Sequence, residues 1–157
     1  MNVYLVQHGK AYDKEENSDR PLNTAGKEET SLTANQLLNN NIEVSKIIHS
    51  NKTRAIETAR IIADTLNSDT VNSKITIEFC PGLNPNDNVE AFAEQLNNSS
   101  ESTDNIMIVG HLPFLSKLLS QLVVGDKDIP IIEFRNSAVV CIKFENQKWL
   151  LQWIMTP

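Results

Sequence analysis

No stretch of this sequence stays apolar for the roughly 18–20 residues that a membrane-spanning helix requires. The apolar run that opens the chain, Val3–Val6, has only the length of a buried strand. The N-terminus has no basic start followed by a long apolar stretch and a small-residue cleavage site, so a cytoplasmic protein without a secretory signal is expected. Cysteine is scarce. Cys80 and Cys141 stand far apart in apolar surroundings and match no metal or redox spacing, which predicts buried thiols in a reducing compartment. The Asn-x-Ser/Thr matches at Asn51, Asn97 and Asn98 carry no weight in a protein that is not secreted. There is no excess of positive charge either: the net charge is −6. Nucleic acid is therefore not an expected partner, and neither is a membrane, although a local basic pocket remains compatible with that balance. No repeat, low-complexity tract, linker or carboxylate–histidine cluster of metal-binding type is present, and neither a metal nor a cofactor is expected.

What is there is the composition of a soluble globular protein, 40% hydrophobic and 22% charged over 157 residues. That length suits one domain over residues 1–157 with a proper core. Strand-length apolar runs alternate with segments of helical period. Val3–Val6 predicts the first strand, followed by a charged loop from Lys10 to Arg20 and a helix from about Thr24 to Asn39. Lys46–His49 predicts a second strand. Ala55, Ile56, Ala59, Ile62, Ala63 and Leu66 then lie on one helical stripe, with Asn51 as the expected N-cap and Arg54 in the first turn. Ile75, Ile77 and Phe79 alternate as a strand with one buried face, ended by Pro81-Gly82.

A helix is expected from about Asn88 to Asn97, then a surface loop to Asp104 and a buried strand at Ile106–Val109. Leu115, Leu118, Leu119, Leu122 and Val123 form the stripe of the next helix, with Pro113 at its first position and Gly125 at its stop. Ile131–Phe134, Ala138–Phe144 and Trp149–Ile154 predict three further strands, antiparallel to the rest. The expected architecture is α/β: a three-layer α/β/α sandwich on a mostly parallel sheet with antiparallel C-terminal strands.

His8-Gly9, Arg54 and Gly110-His111 each follow a predicted parallel strand. Such strand ends share one edge of an open α/β sheet, where ligands bind. Two imidazoles, a guanidinium and two helix N-termini would make a site for a phosphate-like anion. Each residue alone has a plainer reading, a structural histidine or a solvated arginine. Their equivalent positions in the topology argue for a shared site. His49, also at a strand end, reads as a structural histidine, and Trp149 and Trp153, at period-two positions, read as packing residues.

The run Val3-Tyr4-Leu5-Val6-Gln7-His8-Gly9 resembles the opening strand and catalytic histidine of the histidine phosphatase superfamily, with its phosphoglycerate mutase-like fold. Ser50 with Arg54-Ala55 and Thr58-Ala59 is similar to that family's second motif, and Val109-Gly110-His111 to its third. Arg20-Pro21-Leu22 leading to Gly26, and Gly82-Leu83-Asn84-Pro85, are similar to the SixA-type phosphohistidine phosphatases. The resemblance runs from Asn2 to about Val124.

It implies His8 as the nucleophile of a phosphoenzyme that water hydrolyses, Arg54 and Arg20 as grips on phosphoryl oxygens, and His111 as a donor to those oxygens. Gln7, Gly9 and Gly110 complete the implied phosphate pocket. The implied partner is a phosphorylated protein, such as a phosphotransfer domain or a phosphocarrier.

Two departures bear on the substrate. Gln7 stands where the superfamily has arginine, exchanging a permanent charge and planar fork for a neutral amide. No carboxylate holds a convincing position as general acid, with Glu78 and Asp87 expected at the surface. Imidazole leaves readily without such help, which favours a phosphorus–nitrogen bond over an ester. Phosphatase action on small phosphoesters, and a non-catalytic phosphate- or phosphoprotein-binding module, are the alternatives. A mutase is less compatible with so short a chain.

Overall fold

In a computed structural model, which describes residues 1–68 and 74–157, the chain forms six strands and four helices. In chain order they are β1 (Asn2–Gln7), α1 (Thr24–Asn39), β2 (Lys46–His49), α2 (Thr53–Asn67), β3 (Thr76–Phe79), α3 (Val89–Ser99), β4 (Ile106–Gly110), α4 (Phe114–Val124), β5 (Val139–Glu145) and β6 (Lys148–Met155). The strands make one sheet in the order β3-β2-β4-β1-β5-β6. β1 to β4 run parallel, whereas β5 is antiparallel to β1 and β6 to β5. Among the described residues no helix is long and apolar enough to cross a membrane.

The period-two alternation of the central strands sorts their side chains into two cores. Val3, Leu5, Ile108, Val140 and Ile142 pack with α3 and α4, while Tyr4, Val6, Met107, Val109 and Val139 pack with α1 and α2. The fold is thus the expected α/β/α sandwich. Fully buried side chains such as Leu5, Ile62, Leu118 and Phe114 each stabilise it by about 1.5–3 kcal/mol relative to exposure. α1 buries Thr30 and Thr33 beside Ala34 and Leu37, so its packing face is partly polar. Asn23 caps it by accepting from the Gly26 amide at 2.8 Å. At the far end of the chain Asn146 and Gln147 both take left-handed φ, closing the two-residue turn between β5 and β6.

The sheet departs from expectation in several places. Ile131–Phe134 is not a strand. β5 occupies the free side of β1 and β6 the free side of β5, so this segment pairs with neither; it follows Pro130 and sends Phe134 into the α3–α4 core. β3 lacks a buried face: it is an edge strand, with Phe79 57% exposed and Ile77 also exposed. Trp149 and Trp153, four apart, fall on opposite faces. A bulge opposite the Cys141–Ile142 step adds Gln152 to β6 and reverses the alternation, so Trp149 enters the α3–α4 core and Trp153 lies against Tyr4. Cys141 is buried as expected, but Cys80 is only partly covered. The residue before α2 is Lys52 rather than Asn51, and no side chain caps that helix. Pro113 sits one position earlier than expected, before Phe114.

Candidate active site

β1 and β4 are adjacent and parallel, yet the helices that follow them lie on opposite faces, α1 on one and α4 on the other. The crevice this leaves at their C-terminal ends is the topological switch point of the sheet. His8 and His111 stand there. The His8 amide donates to the Gly110 carbonyl at 3.1 Å, extending the β1–β4 ladder past Gln7. The two imidazole centroids are 4.9 Å apart. α2 delivers Arg54 from the neighbouring strand end, and its Nε donates to His8 Nε2 at 3.1 Å. Sequence position therefore brought together the three residues that the strand ends suggested.

His8 is held by both its ring nitrogens. Nδ1 lies 2.7 Å from the Gly9 carbonyl oxygen, which can only accept, so Nδ1 carries the proton. Nε2 is then the lone-pair nitrogen, consistent with the N–H that Arg54 aims at it. Burial pushes the His8 pKa down to about 4, and the nearby Arg54 and Arg20 charges push the same way. The ring is neutral at pH 7 and nucleophilic at Nε2.

Gly9 is required by packing and not by a positive φ. A Cβ there would meet Thr30 Oγ1 at 2.6 Å and the Gly26 carbonyl at 2.9 Å, so α1 could not approach. Its amide donates to Thr58 Oγ1 at 3.0 Å, and Thr58 donates to the Arg54 carbonyl at 2.7 Å. Gly110 also has ordinary backbone geometry, and its role here is the carbonyl that receives His8.

Arg20 reaches the site because the Lys10–Arg20 loop folds back on itself. Ala11 pairs with Leu22 at its neck, Tyr12 N–H donates to Pro21 O at 2.9 Å, and Leu22 N–H donates to Glu57 of α2 at 2.6 Å. Arg20 adopts φ 49°, a left-handed value uncommon for a residue other than glycine, with Nε donating to the Tyr12 carbonyl at 3.1 Å. Its charge depresses the pKa of His8, Arg54 and His111. Among the described residues no carboxylate pairs with Arg20 or Arg54. Two cations left unneutralised beside two neutral imidazoles make a site for a compact anion.

His111 is 1% exposed, and its Nε2 lies 2.6 Å from Ser50 Oγ. Burial, followed by the charges on His8, Arg54, Lys52 and Arg20, pushes its pKa down to about 3. In the resting site His111 therefore offers a neutral N–H and not a charge. Its Nδ1 is buried and makes no hydrogen bond, as is Oε1 of Gln7. The alternation of β1 places Gln7 on the same face as Val3 and Leu5.

Neither candidate acid is at the site. Glu78 pairs with Lys46 at the surface at 3.3 Å, and Asp87 accepts from the Asn84 amide at 2.8 Å. His49 is buried, with Nδ1 2.8 Å from the Ser50 carbonyl, as a structural histidine. Among the described residues no group of three or more His, Cys, Asp and Glu is placed to hold a metal ion.

Sequence reasoning missed the support from the segment before β5. Asn136 Nδ2 donates to the His8 carbonyl at 2.8 Å, and Ser137 N–H donates to the Gln7 carbonyl at 2.9 Å. Ser137, at φ 60° and buried, is clamped by Thr30 Oγ1 at 2.9 Å and by Thr33 Oγ1 at 2.8 Å. In the sequence these two residues only separate two apolar runs, Ile131–Phe134 and Ala138–Phe144.

Both imidazoles titrate lower in the folded protein than in the unfolded chain, so the unfolded state binds more protons below pH 6.5. Stability is therefore fully present above pH 6.5 and falls as pH drops through the range from 6.5 to about 3–4. Urea denaturation at pH 7.5 and pH 4.5 is expected to show that loss, and His111→Asn to reduce it. An equal loss in the variant would remove His111 as a contributor.

A sequence model described as histidine phosphatase superfamily (branch 1) matches residues 3–84. The phosphohistidine phosphatase SixA of Escherichia coli K12 is 30% identical over 162 residues, covering 100% of this chain and 94% of that protein. A solved structure of the protein histidine phosphatase SixA complexed with tungstate superposes with TM-score 0.83 at 27% identity, covering 99% of this chain and 97% of that one. A crystal structure of the SixA protein of Agrobacterium tumefaciens, described as a phosphohistidine phosphatase, shares the fold at TM-score 0.77 and 21% identity.

Proposed function

The chain belongs to the histidine phosphatase superfamily, and from that premise we propose that it hydrolyses phosphohistidine on another protein, with His8 as the phosphoryl acceptor. The observation that carries this reading is the fixed tautomer of His8. Nδ1 is committed to the Gly9 carbonyl, leaving neutral Nε2 with its lone pair beside Arg54. In the proposed first step Arg54 releases Nε2 and turns to the phosphoryl oxygens. The substrate ring carries a proton on its distal nitrogen, so that as the P–Nε2 bond forms the P–N bond breaks and neutral imidazole departs with the electron pair. Water then attacks phosphorus and passes a proton to a phosphoryl oxygen, the P–Nε2 bond breaks, and inorganic phosphate leaves with His8 restored as the neutral Nδ1–H ring. Arg20 and His111 act on the oxygens throughout, with no metal in the scheme. Residues 1–157 serve as one domain acting in the cytoplasm, and the partner is a phosphotransfer domain or a phosphocarrier.

Among the described residues no carboxylate acts on the His8 ring, which supports a phosphorus–nitrogen substrate. An alkoxide leaving group needs a proton from the enzyme, whereas a phosphohistidine ring already protonated on its distal nitrogen departs as neutral imidazole, whose conjugate acid has a pKa of about 6.5. The tungstate complex of the SixA structure fits a pocket for a tetrahedral oxyanion. Rapid denaturation during turnover at alkaline pH, where a phosphorus–nitrogen bond survives, is expected to leave label on His8. Turnover without label at that residue would refute the scheme.

Gln7 favours a second reading, a phosphate-binding module without turnover, because a neutral amide replaces the family's arginine. The two readings part on the covalent intermediate. Under either, Gln7→Arg restores a charge-assisted hydrogen bond of about 1.5–3 kcal/mol, partly offset by repulsion from Arg20 and Arg54. Vanadate is expected to bind about tenfold tighter, the low end of that range, as read by calorimetry. Unchanged affinity would place residue 7 outside the phosphate pocket.

A further inference from the structure

Ser50 was carried into the site only as part of a sequence motif, yet its hydroxyl makes the shortest contact to either active-site imidazole. Ser50 Oγ lies 2.6 Å from His111 Nε2, and both residues are 1% exposed. Either atom could be the donor on distance alone. The remaining partners of Ser50 decide between them. Its oxygen already accepts the Lys52 amide N–H at 3.3 Å. A buried hydroxyl proton needs an acceptor, and among the described residues the only one that Ser50 Oγ reaches is His111 Nε2. If His111 donated instead, the serine proton would be stranded in the interior at a cost of about 1–3 kcal/mol.

We propose that Ser50 is a positioning residue that donates to His111 Nε2 and so holds the ring as its Nδ1–H tautomer, presenting a fixed N–H to the phosphoryl group that His8 attacks. The second observation agrees with the first. Among the described residues His111 Nδ1 is buried and has no hydrogen-bond partner, although its ring lies tilted against His8 with the centroids 4.9 Å apart. An N–H in that position lacks an acceptor until an oxyanion arrives. The opposite tautomer would turn a lone pair on phosphoryl oxygen and repel it. Ser50 thereby does for His111 what the Gly9 carbonyl does for His8: one ring nitrogen is pinned so that the other has a single role. The two pins are opposite in sense. A carbonyl acceptor leaves His8 with a bare nitrogen, and a hydroxyl donor leaves His111 with a protonated one.

The role of this N–H in turnover rests on the proposed phosphatase reading, whereas the tautomer itself does not. Long-range ¹H–¹⁵N correlation spectra of the full chain at pH 7 report the protonated nitrogen of each histidine directly. For the wild-type protein His111 is expected as Nδ1–H with bare Nε2, and inorganic phosphate is expected to shift the Nδ1 proton downfield. An Nε2–H tautomer in the wild type overturns the proposal whatever the protein's activity. Ser50→Ala is expected to populate the Nε2–H form and to lower kcat about tenfold with a smaller change in KM. Ser50→Thr, which keeps the hydroxyl, restores both. Ser50→Ala with an unchanged tautomer also overturns the assignment. If the wild-type tautomer is as expected but phosphohistidine is not turned over, the functional reading fails and the role of Ser50 in phosphate binding stands on the phosphate shift.

Discussion

His8→Ala is expected to lower kcat/KM for a phosphohistidine-bearing protein by about 10⁴-fold or more, the scale on which removal of a covalent nucleophile acts. Alanine leaves the backbone bonds intact: the residue 8 amide still reaches the Gly110 carbonyl, and its own carbonyl still receives Asn136 Nδ2. What goes is the nitrogen on which the P–N bond forms. Arg54, Arg20 and His111 remain, so inorganic phosphate should still bind within about tenfold of wild type, the effect of one lost neutral contact. That combination separates loss of chemistry from loss of the pocket. Full turnover in His8→Ala would sink the covalent mechanism, and failure to bind phosphate would assign His8 a structural part in the pocket. An NMR titration of the wild-type ring is expected to place the His8 midpoint near pH 4, where burial and the two arginines hold it.

Arg54→Ala should cost about 10²–10³ in kcat/KM, the usual consequence of removing one preorganised donor from developing charge. Lysine should not rescue it, because a point charge cannot supply the planar fork that grips two oxygens. The same substitution removes the N–H aimed at His8 Nε2 and a cation that depresses the His8 pKa, so the His8 midpoint is expected to rise. Stability should move the other way from activity. Burial and Arg20 both lower the Arg54 pKa, and among the described residues no carboxylate compensates. Relieving that repulsion should leave Tm equal to or above the wild-type value, a trade of stability for function. A clear fall in Tm would show that Arg54 supports the fold, and full activity in Arg54→Lys would reduce its role to charge alone.

Gln7 tempers expectations for activity on ordinary esters. Under the proposed reading the neutral amide leaves the pocket one positive charge short of the family pattern, and its Oε1 is buried without a hydrogen bond. Arg20, on the folded loop clamped at Tyr12 and Glu57, would partly make up that charge.

Much of the fold was legible because periodicity reports burial. The α1 span and β2 came out at their observed limits, and His8, Arg54 and His111, singled out at strand ends, lie together in the folded chain. The same logic failed where burial is set by neighbours in space. Ile75, Ile77 and Phe79 alternate, but of the three only Ile75 is buried, while Ile77 and Phe79 stay exposed on the edge strand. Ile131–Phe134 has strand composition, but its sequence neighbour β5 is already paired on both sides, with β1 and β6. Trp149 and Trp153 share a parity that one inserted residue, Gln152, reverses.

The sequence by itself determined the sandwich and which residues stand at the C-terminal edge of its parallel strands, because hydrophobic period and strand–helix order are local properties of the chain. Only the tertiary structure decided what those residues are chemically. A histidine's tautomer and pKa depend on the atoms around it. For His8 those atoms are the Gly9 carbonyl and two arginines, and for His111 they include a serine 61 positions earlier. Asn136 and Ser137, whose side chain and amide hold the backbone of Gln7 and His8 from across the chain, carry no periodic signature. Hydrogen bonds between residues so far apart arise only when the sheet has formed, and it is they that fix the surroundings of the two imidazoles.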